Sequence, residues 1–211
     1  MKAEEIFKIL ESKFKDAKCE LNFENVYQLL VAVVLSAQCT DKRVNLVTPK
    51  FFEVFKDVHA LARAEVCEIE NLIKTCGLFH TKSANLKRLA EKIVSDYGGI
   101  VPNTREGLES LAGVGRKTAS VVLAVGFGAD EIAVDTHVFR VSNRIGFGKS
   151  KNVLECEKKL QAFFPKTCWT RLHYMLVLLG RYFCTAKKPK CSECEFMKEC
   201  DFFKENKNVS R

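Results

Sequence analysis

The chain lacks any apolar run long enough to cross a membrane. Its longest apolar stretch, from Val26 to Leu35, includes Gln28 and is far shorter than the roughly 20 residues that span a bilayer. The start, MKAEEIFKILESKFK, carries charges every few residues, which is typical neither of a secretory signal nor of an Arg- and Ser-rich transit peptide. We therefore expect no membrane association and a cytoplasmic location.

Proline and β-strand patterns are also scarce. Only four prolines occur, at positions 49, 102, 165 and 189, and each fits the boundary of an element. The sequence shows neither the apolar–polar alternation of half-buried strands nor a repeat nor a low-complexity linker. These absences favour an all-α fold.

Helical periodicity runs through nearly the whole chain. Residues 3–15 place their apolar side chains on one stripe, and residues 26–37 are apolar on almost every side, which predicts a central buried helix. Two further helices are predicted over 41–47 and 49–55, because a proline suits the first turn of a helix. Thr81 is the predicted N-cap of a long helix that follows.

The charge balance favours a polyanionic partner. The chain contains 34 Lys and Arg against 26 Asp and Glu, which gives a net charge of +8 and a pI near 9.0. Such a surface suits nucleic acid but does not identify it.

The ten cysteines fall into two groups. Six are scattered among apolar neighbours, where we expect core or surface thiols. The other four lie close together in the sequence, at Cys184, Cys191, Cys194 and Cys200. Four such thiols suit either zinc or a [4Fe-4S] cluster, and because only one pair is tightly spaced, the spacing slightly favours iron–sulfur.

The segment 103–125 has the pattern of two helices joined by a glycine turn. Asn103 is the predicted N-cap of the first helix, and Gly113-Val114-Gly115 forms the turn before a second helix that begins near Arg116. The backbone N–H groups of such a turn, at a helix N-terminus, can bind a phosphate. An ordinary turn between helices stays open as an alternative.

Lys117 and Asp135 are the candidate catalytic pair. A lysine attacks only as its free amine, which the positive end of its helix, Arg116 beside it and partial burial would each favour. Asp135 precedes a predicted helix and follows apolar residues, so it is a predicted N-cap whose negative charge the helix terminus favours. The alternatives are that Lys117 only contacts phosphate and that Asp135 only caps a helix.

Several blocks of the sequence together resemble a known family. They are LLVAVVLSAQCTDKRVN (29–45), IKTCGLFHTKSANL (73–86), LAGVGRKTASVVL (111–123) and AVDTHVFRVSNRIGF (133–147), followed by cysteines spaced C-x6-C-x2-C-x5-C. This set resembles the endonuclease III family of iron–sulfur DNA glycosylases, over nearly the whole chain.

The resemblance implies a helix-hairpin-helix DNA glycosylase fold with two helical domains. Residues 21–132 would form a six-helix domain containing the hairpin, and residues 1–20 with 133–211 would form the second domain with the cluster loop. DNA would lie across the cleft between the domains, where Lys117 and Asp135 would meet.

The resemblance also implies an activity and its parts. Lys117 is similar to the Schiff-base lysine of the family and Asp135 to its essential aspartate, so the protein would excise oxidised pyrimidines and cleave the strand 3′ to the site by β-elimination. Gln38 and Leu78 match residues that wedge into the kinked duplex; the alternatives are that Leu78 is a core leucine and Gln38 a polar residue at a helix end. The partner would be double-stranded DNA with damaged pyrimidines or abasic sites, bound by a monomer in a bacterial nucleoid.

The remaining contacts expected on this basis are with DNA backbone and cofactor. Gly113, Gly115 and Arg116 would hold one phosphate, and Lys187 and Lys188, in the loop between the first two clustered cysteines, would contact another. The cysteine set would carry a [4Fe-4S] cluster.

The sequence departs only modestly from the family pattern. Ala112 stands where proline is usual, and His80 and Ser120, expected near the DNA surface, stand where asparagine is frequent. Ala112 makes the entry to the hairpin less rigid, whereas His80 and Ser120 bear on lesion preference rather than on catalysis. Two other functions stay open as alternatives. One is a monofunctional mismatch DNA glycosylase, against which Lys117 argues, and the other is a non-catalytic helix-hairpin-helix DNA-binding protein.

Overall fold

The structure, a computed structural model, describes residues 1–206. These residues form twelve α-helices and two short 3-10 helices, with no β-strand among them. The predicted all-α class is therefore confirmed. The chain divides into two compact units, one formed by Glu20–Ala129 and the other by Met1–Cys19 with the described residues from Asp130 onward.

Seven helices form the unit of residues 20–129, one more than the resemblance implies. They are α2 (Val26–Ser36), α3 (Asp41–Val54), α4 (Val58–Arg63), α5 (Val66–Ile73), α6 (Phe79–Tyr97), α7 (Arg105–Glu109) and α8 (Arg116–Gly126). The pattern does not predict α4, because a helix of 6 residues is too short to show a clear period.

Helix α2 is the centre of this unit, as its sequence predicts. The side chains from Leu29 to Leu35 are all buried, and Asn25 caps the helix by accepting a hydrogen bond from the backbone N–H of Gln28. The hydroxyl of Tyr27 donates to the carbonyl of Phe55 at 3.0 Å, which satisfies the one buried polar group that this aromatic brings into the core.

The predicted break at Pro49 is wrong, because Pro49 lies inside one continuous helix, α3. Proline removes one backbone hydrogen bond from a helix interior. Val44, Thr48 and Phe51 are nevertheless buried along one face, so core packing before and after the proline keeps the helix intact. Local sequence rules cannot anticipate this tertiary contribution.

Helix α6 begins earlier than predicted. Its N-cap is Leu78, whose backbone is left-handed (φ 58°), and not Thr81. The helix therefore starts directly after an exposed leucine in a turn, and it ends at Gly98 in the left-handed conformation, which glycine adopts without steric cost.

The other unit contains five α-helices among its described residues. They are α1 (Ala3–Lys13), α9 (Thr136–Ile145), α10 (Val153–Phe163), α11 (Trp169–Tyr182) and α12 (Asp201–Glu205), with 3-10 turns at Lys166–Cys168 and Cys191–Glu193. Ile6 and Leu10 of α1 pack into one core with residues of α9, α10 and α11. The N-terminal helix thus belongs with the C-terminal part of the chain.

No helix within residues 1–206 combines the length and the apolar character that a membrane span requires.

Candidate functional site

The glycine turn lies between α7 and α8, as the sequence predicts. Thr104, one residue after the predicted Asn103, caps α7 by accepting from the N–H of Gly107 at 3.1 Å. Val114 is buried, and its N–H donates to the carbonyl of Leu111 at 3.1 Å. A single apolar side chain therefore fixes the turn to the core and leaves the flanking glycines outside.

The two glycines of the turn have different structural roles. Gly113 has a φ of 79°, and a Cβ on it would lie 3.0 Å from Nδ2 of Asn85. Gly115 has an ordinary φ of −98° as the N-cap of α8, and a Cβ on it would meet no atom within 4 Å. Gly113 is therefore required by the turn itself, whereas Gly115 exposes backbone at a helix N-terminus.

Arg116 and Lys117 form the first turn of α8, and both are exposed. The predicted partial burial of Lys117 is wrong. Helix α8 buries Ala119, Ser120, Val122 and Leu123, and Lys117 lies about 200° around the helix axis from Ala119. Lys117 is thus directed away from the core, at the positive end of the helix dipole.

Asp135 is the N-cap of α9, which confirms the structural part of the prediction. Its Oδ1 accepts hydrogen bonds from the backbone N–H groups of His137 and Val138, each at 2.8 Å. The residue is half-buried, and the residues before it, Ile132 to Val134, are fully buried. Oδ2 takes part in neither capping bond, so the cap holds the carboxylate in one orientation through a single oxygen.

A network that sequence reasoning missed holds the segment around Asp135 against α11. The ring Nδ1 of the buried His173 lies 2.6 Å from the carbonyl oxygen of Ala133. Arg140 of α9 donates to the carbonyl of Gly180 at 2.8 Å and to that of Cys184 at 2.9 Å. No local pattern indicates these partners, because they are 40 or more residues apart in sequence.

His137, two residues after Asp135, has a lowered pKa. Burial lowers its pKa, against the opposing effect of the Asp135 carboxylate, and the positive charge of Arg140 lowers it further. Nη2 of Arg140 lies 3.2 Å from its Nδ1, and because a guanidinium can only donate, Nδ1 is the acceptor. The Cβ that Gly180 lacks would lie 2.8 Å from the His137 Cβ, so glycine at 180 makes room for this histidine.

Gln38 and Leu78 share an uncommon backbone conformation. Among residues 1–206 they are the two non-glycine residues with positive φ, at 53° and 58°. Both are exposed, Leu78 to 57%. A large apolar side chain that is exposed on a strained turn contributes little to the core, and such strain is concentrated at functional sites.

His80 and Ser120, which stand where the family often has asparagine, have different surroundings. His80 is exposed, with its Nδ1 2.7 Å from Oε1 of Glu70. Ser120 is 1% exposed and accepts a hydrogen bond from Nη2 of Arg105 at 3.1 Å. Ser120 is therefore buried between α7 and α8, and its expected place near the DNA surface stays a prediction.

The four clustered cysteines lie around one pocket in the unit that contains α9–α12. The other walls of this pocket are mainly apolar, including Ile145, Leu179, Phe183 and Met197. All four cysteines are free thiols. Within residues 1–206, no three His, Cys, Asp or Glu side chains are grouped to hold a single ion.

Arg144 links this pocket to the loop of Lys187 and Lys188. Its Nη1 lies 3.6 Å from Sγ of Cys184 and donates to the carbonyl of Thr185 at 2.7 Å, and its Nη2 donates to the carbonyl of Ala186 at 2.9 Å. Lys187 and Lys188 are exposed in this loop. One half-buried arginine therefore orients the loop and places positive charge beside a candidate ligand sulfur.

The unit of residues 20–129 contains Lys117, Gln38, Leu78 and the hairpin. The other unit contains Asp135 and the four clustered cysteines. The meeting of Lys117 with Asp135 therefore stays a prediction. Within the first unit, Val114 of the hairpin is buried, Gly113 lies against Asn85, and Gly77 lies against the carbonyl oxygen of Gln38.

Comparison with known proteins identifies a family and relatives that resemble this chain. A family model described as HhH-GPD superfamily base excision DNA repair protein matches residues 31–166. Endonuclease III of Bacillus subtilis (strain 168) is 46% identical over 188 residues, which are 89% of this chain and 86% of that protein.

Two solved structures match nearly the whole chain. A trapped endonuclease III–DNA covalent intermediate, an estranged-adenine complex, gives a TM-score of 0.92 at 42% identity and covers 98% of this chain and 99% of that one. A non-covalent endonuclease III–DNA complex gives a TM-score of 0.92 at 41% identity and covers 99% of both chains. The chain therefore belongs to the HhH-GPD superfamily of base excision DNA repair proteins.

Proposed function

We propose that this protein is a DNA glycosylase with AP lyase activity, which removes oxidised pyrimidines in base excision repair and cleaves the strand 3′ to the site. One observation carries the proposal. An exposed lysine, Lys117, follows the glycine turn at the start of α8, in a chain 42% identical to a protein that was trapped on DNA as a covalent intermediate.

The hairpin is the proposed anchor for one DNA phosphate. The N-terminus of an α-helix presents backbone N–H groups that can bind a phosphate, and the exposed Gly115 is the N-cap of α8. Arg116 adds a positive charge beside them. A phosphate bound there would place the sugar–phosphate backbone next to Lys117.

Gln38 and Leu78 are the proposed wedge residues. An enzyme that acts on a base must first remove it from the stack and fill the space that it leaves. Both side chains are exposed on turns with positive φ, which supports a role in holding a kinked duplex open.

Lys117 would supply the nucleophile. Its neutral amine would attack C1′ of the flipped nucleotide, forming a C–N bond while the electron pair of the glycosidic bond leaves with the base. Opening of the sugar ring gives an iminium, which makes the C2′ proton acidic. Loss of that proton expels the 3′ phosphate oxygen, which is the β-elimination that cleaves the strand.

Asp135 would act on protons and charge during this sequence. A carboxylate held by two backbone N–H donors at 2.8 Å can accept the proton that the lysine loses and stabilise positive charge on the sugar as the base departs. Its cap geometry supports this role because Oδ1 makes both capping bonds, so Oδ2 is not required for the cap.

The four cysteines around the apolar pocket are the proposed ligands of a [4Fe-4S] cluster. The donor set fits, because four thiolates ligate such a cluster and Arg144 is positioned to donate toward Cys184. Burial raises the pKa of the thiols of Cys191, Cys194 and Cys200, and they would lose their protons on binding a metal. When bound, the cluster would cross-link α11 to the C-terminal segment.

Lys187 and Lys188 are the proposed phosphate contacts of the cluster loop. Both lysines are exposed, and Arg144 fixes the backbone that carries them. Such contacts would contribute affinity that falls with rising salt, and they would not contribute sequence preference.

Because the proposed substrate is DNA, we infer that the protein acts at the bacterial nucleoid in the cytoplasm. We expect it to be a monomer.

Borohydride trapping tests the central proposal. Duplex DNA with a thymine glycol is incubated with the protein and sodium borohydride, which reduces an iminium to a stable covalent bond. We expect a trapped complex with the unmodified chain and with Lys50→Gln, an exposed lysine of the same unit, and none with Lys117→Gln. Full trapping by Lys117→Gln would refute the assignment of the nucleophile.

The same experiment separates the rival functions. Base release without trapping or strand cleavage would indicate a monofunctional glycosylase, and tight binding without either would indicate a non-catalytic DNA-binding protein. A panel of duplexes with defined lesions then identifies which damaged base is released fastest.

Metal analysis tests the cluster. We expect about four iron atoms per chain, visible absorption and no stoichiometric zinc in the purified protein. Cys194→Ser should lose most of the iron, while Cys67→Ser, an exposed cysteine of the other unit, should retain it. A colourless protein with bound zinc and no iron would refute the cluster.

A further inference from the structure

Two of the six scattered cysteines lie side by side beneath the strained turns. Cys39 follows Gln38, and Cys76 precedes Gly77 and Leu78. The two segments touch, since a Cβ on Gly77 would lie 3.1 Å from the carbonyl oxygen of Gln38. The fold therefore brings together two thiols that are far apart in sequence.

The two thiol groups lie near each other. Cys39 is close enough to Cys76 to help raise the pKa of its thiol, and both are free thiols. Their unit, Glu20–Ala129, contains none of the four cysteines around the apolar pocket. The pair is consequently a second cysteine site, independent of the proposed cluster.

A buried lysine accompanies the pair. Lys82 is 4% exposed, and its Nζ donates to the carbonyl of Leu35 at 2.8 Å. Burial lowers the pKa of this ammonium group, whereas its attraction to Cys39 and Cys76 raises it. A positive charge at this position stabilises a thiolate on either sulfur.

The two cysteines differ in exposure, which assigns them different roles. Cys39 is half-exposed, so an external reagent can reach it, whereas Cys76 is 2% exposed. Burial raises the pKa of Cys76 to about 11, and the charge of Cys39 and its hydrogen bond contribute to the rise. Both contributions from Cys39 end once its sulfur is covalently bonded, which makes Cys76 easier to ionise.

We propose that Cys39 and Cys76 form a reversible disulfide in the presence of a small-molecule disulfide such as oxidised glutathione. The Cys39 thiolate attacks one glutathione sulfur and releases the first glutathione thiolate. The Cys76 thiolate then attacks the Cys39 sulfur and releases the second. Two cysteines lose two electrons, the glutathione disulfide gains them, and the two thiol protons end on the released glutathione molecules.

The bond would join the turn of Gln38 covalently to the turn of Leu78. Because the two turns already touch through Gly77 and Gln38, the reaction requires no approach of distant segments. The site is therefore one at which the oxidation state of the protein changes the freedom of two exposed turns.

Peptide mapping of the full-length protein tests the proposal. The folded protein is incubated with oxidised glutathione, its remaining thiols are blocked, and it is cleaved after glutamate without reduction. Cys39 is then the sole cysteine of peptide 25–53, and Cys76 the sole cysteine of peptide 71–91. We expect these two peptides to be joined, lighter by two hydrogen atoms than their sum, and separated by dithiothreitol.

Matched variants distinguish the two steps of the proposed disulfide formation. Cys76→Ser should stop at a glutathione adduct on peptide 25–53, Cys39→Ser should leave peptide 71–91 unmodified, and Cys67→Ser, which removes an exposed thiol, should form the same link as the unmodified chain. Circular dichroism verifies that each variant is folded. A glutathione adduct on Cys39 without the link, or a link from Cys76 to any other cysteine, would overturn the proposal.

Discussion

The carbonyl oxygen of Gln38 lies 3.1 Å from the place that a Cβ on Gly77 would occupy. This approach joins the turn of Gln38 to the turn of Leu78, and both of these residues have positive φ. Left-handed backbone costs a residue with a side chain about 1–2 kcal/mol. The fold therefore maintains two adjacent strained turns whose side chains are exposed, which supports a binding role rather than a packing role.

Substituting Leu78 separates these two roles. Leu78→Gly relieves the left-handed strain and removes the proposed wedge, so we expect a thermal midpoint no lower than that of the unmodified chain. Affinity for a duplex with a lesion should fall about tenfold, or about 1.4 kcal/mol, as measured by fluorescence anisotropy. Leu46→Ala, at another exposed leucine of the same unit, should change neither quantity. Unchanged affinity in Leu78→Gly would remove this residue from the DNA interface.

The two hairpin glycines should respond differently to alanine. Gly113→Ala imposes a side chain on a φ of 79° and against Asn85, so we expect a loss of about 1–3 kcal/mol of unfolding free energy. Gly115→Ala meets open space and should change stability by under about 0.5 kcal/mol while it weakens DNA binding. Urea denaturation measures the first effect and binding titration the second. Equal destabilisation by the two variants would contradict the distinction drawn between these glycines.

Replacing Asp135 by asparagine should preserve the helix cap but remove the proposed catalytic role. Asparagine caps helices about as well as aspartate, so Asp135→Asn should keep the thermal midpoint and DNA affinity. Its single-turnover rate should fall by roughly 10²–10⁴-fold. Asp57→Asn, at the N-cap of α4, is the matched control and should retain the full rate. An unimpaired Asp135→Asn would reduce this residue to a helix cap.

The lowered pKa of His137 predicts a loss of stability in acid. Burial is its main cause, so below the ordinary value of 6.5 the unfolded chain takes up a proton that the folded chain does not. The free energy of unfolding should therefore fall as the pH drops through this range, by at most about 1.4 kcal/mol per pH unit. His137→Gln should lose less stability between pH 6.5 and about 5.5 than the unmodified chain. His59→Gln, an exposed histidine, should follow the unmodified chain, and coincident curves for all three proteins would contradict the prediction.

Much of the candidate site was predictable because its signals are local. The glycine turn, the cap at Asp135 and the grouping of the four cysteines each depend on neighbouring residues in the sequence. The partial burial of Lys117 was predicted incorrectly, since its exposure depends on which face of α8 meets the rest of its unit. The interior position of Pro49 was missed for a similar reason, because packing by Val44 and Phe51 outweighs a local rule.

The sequence by itself determined the helical class, the hairpin, the candidate nucleophile and its carboxylate, because helical period, caps and glycine turns act over a few residues. Only the tertiary structure decided that Gln38 and Leu78 share a strained conformation, that His173 and Arg140 hold the segment of Asp135, and that the segment of Cys39 lies against the segment of Cys76. These relationships join residues tens of positions apart, and they arise from how helices pack rather than from the propensity of any one segment.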